Sequence, residues 1–325
     1  MGQTGCAKSD LRDFLITRRA RITPAMAGLA AYGANRRVKG LRREEVAMLA
    51  GISSEYYTRL ERGNATGASP SVVNSVADVL QLTDVEREHL THLVDAINKD
   101  KSRKGRGGRS RTGSPKASAT EIIRPNVQIL IDAIALPTFV FNRTLDVVAA
   151  NRLGRLLYSP MFDDPIRPAN AARFAFLGGE AARLFWPNRQ QLLTDAVAEL
   201  RAESGRDPYD PALIHLVGYL STQSEEFRVR WASHNVRKHQ SGIKTLHHPL
   251  VGPITMPFEK YTVSGDEGLI VQTYTPTPGS PAHDSLQLLS SWDGGNVASE
   301  QGAKSKSDLG HRSERSDVID DDPAV

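Results

Sequence analysis

Apolar residues recur at intervals of three and four through residues 10–98, and this spacing predicts a domain made only of helices. The first helix presents Leu11 and Phe14 on one face, and Ser9 or Asp10 is available as its N-cap. We expect five helices in this region, joined by short turns and loops. Their shared core is predicted to contain Leu49, Leu60, Val76 and Leu90.

Capping residues mark the starts of the last two of these helices. Ser69 followed by Pro70 predicts the start of the fourth, because serine caps a helix and proline fits its first position. Thr83 and Glu86 have the spacing of a capping box, which predicts the start of the fifth. The apolar face of the fourth helix then comprises Val72, Val73, Val76, Val79 and Leu80.

The segment from Arg43 to Arg62 has the residue spacing of a helix-turn-helix. Ala47 is small where two steeply crossing helices approach, and Gly51 tolerates the positive φ of a tight turn. The wedge between the helices is filled by Val46, Ile52, Tyr57 and Leu60. Two helices around a glycine turn also occur in other helical proteins. The fixed offsets and basic flanks favour a unit that inserts its second helix into the major groove of double-stranded DNA.

The solvent side of the second motif helix supplies the candidate DNA contacts. Arg59 can donate two hydrogen bonds to guanine. Glu55 can accept from cytosine, or it can orient Arg59 from one turn earlier. The other candidates for phosphate or base-edge contacts are Arg43, Ser53, Ser54, Tyr56 and Arg62.

Residues 121–292 have a different pattern, in which short β runs are separated by helices. A helix at 124–134 precedes five β runs, at 138–141, 145–149, 242–247, 254–262 and 269–275. The helices predicted between the second and third runs include one through Asn151, Leu153, Leu156 and Leu157 and three at 189–202, 211–222 and 224–234. A last helix contains Leu286, Leu288 and Leu289. This order predicts an α+β domain with helices packed on one antiparallel sheet.

Composition and charge define the remaining segments. Residues 99–120 are rich in Lys, Arg, Gly and Ser, and they predict a flexible basic linker that either lies along DNA phosphates or keeps the chain soluble. Residues 293–325 are polar and acidic, and we expect a disordered tail there. The chain is therefore predicted to be multidomain, with an all-α DNA-binding domain at 9–98 and the α+β domain at 121–292.

Several strings of this sequence resemble one family. GLRREEVAMLAGISSEYYTRLERG is similar to the DNA-binding domain of the Cro/repressor-type regulators. The second domain contains TFVFNRTLDVVAANRLGRLLY, RWASHNVRKHQSGIKTLHHPLVGPITMPFEKY and YTPTPGSPAHDSLQLL, which resemble the MmyB-like transcription regulators. The resemblance implies a PAS-like second domain that binds a small apolar ligand of the fatty-acid class. The chain departs from the family pattern at Asn235, where aspartate is usual.

A PAS-like sheet with its covering helices can enclose an apolar cavity. Phe139 and Phe141 on the first hairpin and Tyr261 on a later strand are the candidate walls, although each can also be an ordinary core residue. The mouth of the cavity and the binding of a carboxylate head group are assigned to Trp231, His234, Arg237 and His248.

Other chemistry receives little support from the sequence. Cys6 is the single cysteine, which excludes an intrachain disulfide and a thiolate cluster. The histidines match no metal-ligand spacing, and no nucleophile elbow or phosphate-binding glycine loop is present, so we expect neither a metal, another cofactor nor catalysis. No apolar run reaches membrane-spanning length, and we expect a cytoplasmic protein.

These observations favour a sequence-specific transcriptional regulator whose second domain senses a small apolar ligand. We expect a homodimer that binds a near-palindromic operator. One alternative is that the second domain is a protein–protein interaction module without a small-molecule ligand. A second alternative is a DNA-coating protein without sequence preference, which acts through the basic linker.

Overall fold

A helical domain and a domain built on a β-sheet make up the described part of the computed structural model. That part comprises residues 4–29, 38–105, 123–236, 240–266 and 268–291. The predicted tail at 293–325, most of the predicted linker and the candidate ligand residue Arg237 lie outside the described residues.

The helical domain contains the five predicted helices. They are α1 (Thr4–Arg21), α2 (Arg43–Leu49), α3 (Ser54–Glu61), α4 (Pro70–Val79) and α5 (Asp84–Gly105). Both predicted caps are confirmed. The Ser69 hydroxyl accepts a hydrogen bond from the Val72 amide at 3.4 Å, and the Glu86 carboxylate accepts one from the Thr83 amide at 3.0 Å. The predicted core residues Leu60, Val76 and Leu90 are buried.

Three details of this domain were predicted wrongly. α1 begins at Thr4, so Ser9 and Asp10 lie inside the helix instead of capping it. α5 ends at Gly105, so residues 99–105 of the predicted linker are helical. Leu49 is exposed, because the buried side of α2 is formed by Val46, Ala47 and Ala50.

The second domain contains the five predicted strands, β1 (Thr138–Phe141), β2 (Val147–Ala150), β3 (Ser241–His248), β4 (Gly252–Thr262) and β5 (Ile270–Tyr274). The predicted helices are present as α6 (Pro125–Asp132), α7 (Arg152–Leu157), α11 (Arg189–Arg206), α12 (Pro211–Gln223), α13 (Glu225–Ala232) and α14 (residues 281–291). Three more, α8 (Ser159–Phe162), α9 (Ala171–Leu177) and α10 (Gly179–Phe185), are too short to show a helical period in sequence.

The five strands form one antiparallel sheet in the order β2-β1-β5-β4-β3, which confirms the predicted α+β architecture. The helices between β2 and β3 in sequence pack on one face of the sheet and form the main core with it. α6 packs on the other face, where Val127 and Ile131 contact Val140 and Ala149. The same outer face over β3 and β4 leaves Ile243 and Tyr261 exposed.

The two domains are in contact through α1 and α5 on one side and α11 on the other. Ala202 of α11 and Val236 belong to the apolar core of the helical domain. Arg201 donates a hydrogen bond to the Asp10 carboxylate at 3.1 Å. Residues of the second domain therefore complete the core of the first.

Candidate DNA-binding surface and ligand cavity

The helix-turn-helix has the wedge that its spacing predicts. Gly51, at the turn between α2 and α3, has a φ of 68°, a conformation that glycine adopts without a steric penalty. Ile52 is half-buried, and the fully buried wedge residues are Val46, Ala47, Tyr57 and Leu60. α3 is therefore fixed against α2, and its opposite face is free to contact a partner.

That opposite face is exposed to solvent. Ser54, Glu55 and Arg59 are exposed on α3, and Tyr56 is half-buried. Ser53 precedes the helix as its N-cap, and its hydroxyl accepts a hydrogen bond from the Tyr56 amide at 3.1 Å. Ser53 thus has a structural role that the DNA-contact assignment did not include.

Arg59 is positioned by an aromatic ring instead of by Glu55. Its guanidinium lies 4.9 Å from the centre of the Tyr56 ring, within the range of a cation–π contact. Among the described side chains, no ion pair joins Arg59 to Glu55. The suggestion that Glu55 orients Arg59 therefore has no support, whereas Tyr56 gains an orienting role.

Arg43 is bound to a buried carboxylate that the sequence analysis missed. Glu61 of α3 has only 1% of its side chain exposed, and it pairs with Arg43 and with Arg19 of α1, the latter at 2.6 Å. Arg43 is half-exposed, so it combines a structural ion pair with its predicted place near the DNA backbone. Arg62, the C-cap of α3, is exposed.

The second domain contains a mainly apolar cavity of about 80 Å³ between its sheet and its helices. The sheet contributes Phe141, Phe258, Ile270 and Gln272, together with Lys244 and Lys260. The helical side includes Tyr158, Trp186, Leu192 and Ala196. These walls come from segments that are far apart in the chain.

Charged side chains of both signs line part of this cavity: Lys244 and Lys260 on the sheet, and Asp195 and Glu199 on α11. The Lys260 ammonium pairs with Glu199, and the Lys244 ammonium lies 5.0 Å from the centre of the Phe258 ring. Burial, and then repulsion from Lys260, lower the pKa of Lys244 to about 8. An anion close to Lys244 would stabilise its charged form and raise its pKa.

A chain of neutral polar groups borders the cavity on another side. Gln272 donates a hydrogen bond to the Tyr274 hydroxyl at 2.9 Å, and the hydroxyls of Tyr274 and Tyr158 are hydrogen-bonded to each other. Burial raises the pKa of both tyrosines, so they remain uncharged. These groups fix the polar side of the cavity without adding charge.

The predicted cavity walls have different locations. Phe141 lines the cavity. Phe139 is fully buried against Phe141, Tyr158 and Tyr274, so it supports the wall as a core residue. Tyr261 was assigned wrongly, because strand alternation turns it to the exposed outer face while Phe258 and Lys260 face the cavity.

The predicted mouth residues lie elsewhere. Trp231 stacks on Phe227 and under Arg201, and His234 is buried beside α1, so both belong to the contact between the domains. His248 is buried and hydrogen-bonds the backbone oxygen of Leu156 at 3.0 Å. The assignment of these three side chains to a carboxylate site is therefore wrong, because the backbone places them away from the cavity.

A period-two pattern in β4 contained the missing signal. Ile254, Met256, Phe258 and Lys260 occupy alternate positions and share one face of the sheet. The first three are buried, so a lysine that continues this row must face the interior. Lys244 pairs in register with Met256 and extends the same surface.

A groove of about 500 Å³ between α6 and α7 is open and mixes two arginines with two aspartates, and none of the predicted ligand residues line it. In the described ranges, no group of three or more His, Cys, Asp or Glu is placed to hold a metal ion. None of the described helices has the length and apolarity that crossing a bilayer requires.

The fold and its two surfaces define a class of protein, a helix-turn-helix DNA-binding domain joined to an α+β ligand-binding domain. Comparison with protein families agrees: residues 10–90 match a helix-turn-helix domain, and residues 123–289 match the MmyB-like transcription regulator ligand binding domain. The chain belongs to the MmyB-like transcription regulators. Among curated proteins, none matches this chain.

Proposed function

We propose that this transcription regulator reads a specific DNA sequence with α3 and responds to a small apolar, fatty-acid-like ligand in the cavity of its second domain. The observation that carries the proposal is a mainly apolar cavity with Lys244 in its wall, beside a Lys260–Glu199 ion pair, in a chain whose recognition helix is exposed. DNA as partner also implies a cytoplasmic location.

Base reading is assigned to the exposed face of α3. Arg59 donates to guanine, with Glu55 and Ser54 beside it on the same helix. We assign contacts with the DNA backbone to Ser53, Tyr56, Arg43 and Arg62. Selection of bound fragments from genomic DNA, followed by titration against scrambled DNA, tests this assignment. A specificity ratio near one would instead favour the DNA-coating alternative.

Ligand binding is assigned to the lysine-lined cavity. A carboxylate head group would accept hydrogen bonds from Lys244 and Lys260, and an alkyl chain would pack against Phe141, Trp186 and Leu192. Trp186 lines the cavity, so a tryptophan fluorescence titration with laurate tests the proposal directly. Mass spectrometry of gently purified protein is expected to detect a co-purified acidic lipid.

The size of the cavity supports one alternative. A volume of about 80 Å³ is well below the roughly 300 to 1,000 Å³ of typical ligand pockets, so a fatty acid has to displace wall side chains. The exposed Ile243 and Tyr261 on the outer sheet face suit a protein partner instead. An empty second domain that forms a stable complex with another polypeptide would favour the interaction-module alternative.

We further propose a homodimer on a near-palindromic operator. A single helix-turn-helix contacts one half-site, and two copies related by a two-fold axis contact half-sites one or more DNA turns apart. Sedimentation analysis of the protein with one operator fragment tests this stoichiometry. Binding as a monomer to an asymmetric site would contradict it.

A further inference from the structure

Helix α11 connects the ligand cavity to the helical domain. Its residues Leu192, Asp195, Ala196 and Glu199 line the cavity. Within the next two turns, Arg201, Ala202 and Gly205 contact the helical domain. One continuous helix therefore belongs to both functional regions.

The contact between α11 and α5 has no free space at Gly205. A Cβ atom at Gly205 would lie 2.1 Å from the Nδ1 atom of His89 on α5. His89 is itself buried, and its ring packs edge-on against Phe14 of α1 at 5.0 Å. The backbone of α11 is therefore in direct contact with the core of the helical domain.

Two buried arginines hold this contact from both sides. Arg201 lies 3.7 Å from the centre of the Trp231 ring and bonds Asp10 of α1 at 3.1 Å. Arg18 of α1 donates in the opposite direction, to the backbone oxygen of His234. Arg18 also pairs with Glu86 inside the helical domain at 2.9 Å, whereas Arg201 finds its carboxylate partner across the contact. Separation of the domains would therefore leave the buried guanidinium of Arg201 without the Asp10 carboxylate.

We propose that the last turns of α11, with residues 233–236, form the coupling surface through which occupancy of the cavity controls the DNA-binding domain. This inference rests on the proposed ligand function. A ligand larger than the cavity displaces its walls, and α11 is one of them. Because packed interiors transmit shifts, movement of α11 is passed to α5 and α1.

The route continues from α1 to the recognition helix. α1 carries Arg18 at the contact with the second domain, and the next residue, Arg19, pairs with Glu61 of α3. Opening of the domain contact therefore changes the support of α3 without covering its DNA-facing side. The DNA-facing side of α3 is already exposed while the two domains are in contact. The coupling therefore acts on the position of the recognition helix and not on its accessibility.

Gly205→Ala in the full-length chain tests the coupling surface without any ligand. Its matched control is Gly218→Ala, because a Cβ added at that α12 position meets no atom within 4 Å. We expect hydrogen exchange in the parts of α1 and α5 that face α11 to accelerate at least about tenfold in Gly205→Ala only. Equal exchange in the two variants would overturn the proposal.

A second arm uses laurate as the probe and measures operator affinity with and without it. We expect wild-type protein and Gly218→Ala to change affinity about fivefold or more, and Gly205→Ala less than about twofold. If laurate binds Gly205→Ala and still changes DNA affinity as in wild type, the coupling surface is wrong while the proposed function stands. If laurate binds no variant, the assigned ligand class fails, and the exchange arm still decides the coupling surface.

Asn235→Ala provides a milder variant in case Gly205→Ala does not fold. It removes only the hydrogen bond from Arg21 of α1 to the Asn235 side chain. We expect exchange in α1 to accelerate about two- to threefold with unchanged circular dichroism. Wild-type exchange in this variant as well as in a folded Gly205→Ala would leave the coupling surface without support.

Discussion

The two functional regions of this chain satisfy buried charge in different ways. In the helical domain, Glu61 is buried but paired with both Arg19 and Arg43. In the second domain, Lys244 is half-buried, and among the described residues no ion pair involves it. The first arrangement is complete within the folded chain and stabilises it. In the second, Asp195 and Glu199 attract Lys244 from the same cavity without forming an ion pair with it, and we propose that an anionic ligand provides a closer partner.

Removing Glu61 tests the buried carboxylate that pairs with two arginines, and it should have the largest effect on stability. Glu61→Ala leaves two arginines without their shared buried carboxylate and is expected to lower the free energy of unfolding by about 3 kcal/mol. Glu55→Ala, on the exposed side of the same helix, should cost less than about 0.5 kcal/mol. Urea unfolding of both variants measures the difference. Equal losses would show that burial of Glu61 does not matter.

The exposed face of α3 is tested by separating base contacts from backbone contacts. Arg59→Ala should weaken binding to the operator by about 2 kcal/mol and leave binding to scrambled DNA almost unchanged. Arg62→Ala should weaken both and reduce the salt slope by about one. Arg43→Ala is a poorer test of phosphate binding, because it also breaks the pair with Glu61. Titrations at several salt concentrations would contradict the assignment if Arg59→Ala weakened both DNAs equally.

The helical domain could be predicted from sequence because its determinants are local. The wedge and turn of the helix-turn-helix fall within residues 43–62. At each of these positions only certain residue types fit sterically, so the residue type indicates the structure. Glu61 was missed because its partner Arg19 is 42 residues away. Leu49 was misassigned because helical spacing does not state which side of a short helix meets the core.

The cavity could be predicted only in part. Strand alternation correctly located the five strands, and Phe141 was found from it. The lysines were not, although the row from Ile254 to Lys260 contained the signal. Trp231 and His234 were assigned to the cavity because a sequence gives no information on how two domains pack, and these residues lie in the contact between them.

Lys244→Met tests whether the Lys244 ammonium contributes to the binding of laurate. The pKa of Lys244 is about 8, and a carboxylate bound beside it would raise that pKa, so laurate binding is expected to take up a proton above pH 8. Wild-type affinity should therefore be highest below pH 8 and fall as the pH rises. Lys244→Met should lower the affinity about tenfold below pH 8 and remove the pH dependence. Fluorescence titrations measure both, with Lys99→Met on the exposed side of α5 as the control.

The contact between the domains contains buried ion pairs and two buried histidines. The dependence of the stability on pH measures what the histidines contribute. Burial, followed by repulsion from Arg201 and Arg18, lowers the pKa of His89 and of His234 to about 3. Both rings are therefore neutral in the folded chain, with the Asp13 carboxylate 3.9 Å from His234. A histidine whose pKa is lower in the folded state than in the unfolded state contributes its full stabilisation of the fold above the unfolded pKa of about 6.5. That stabilisation is lost as the pH falls below about 6.5.

Each of these histidines is expected to cost about 0.8 kcal/mol of stability at pH 6 relative to pH 8. His89→Leu should remove one such contribution and flatten the stability profile between pH 8 and pH 5.5, while His215→Leu on the exposed side of α12 should not. Urea unfolding across this range measures the slope. If both variants keep the wild-type slope, the buried ring against Gly205 is not the group that titrates.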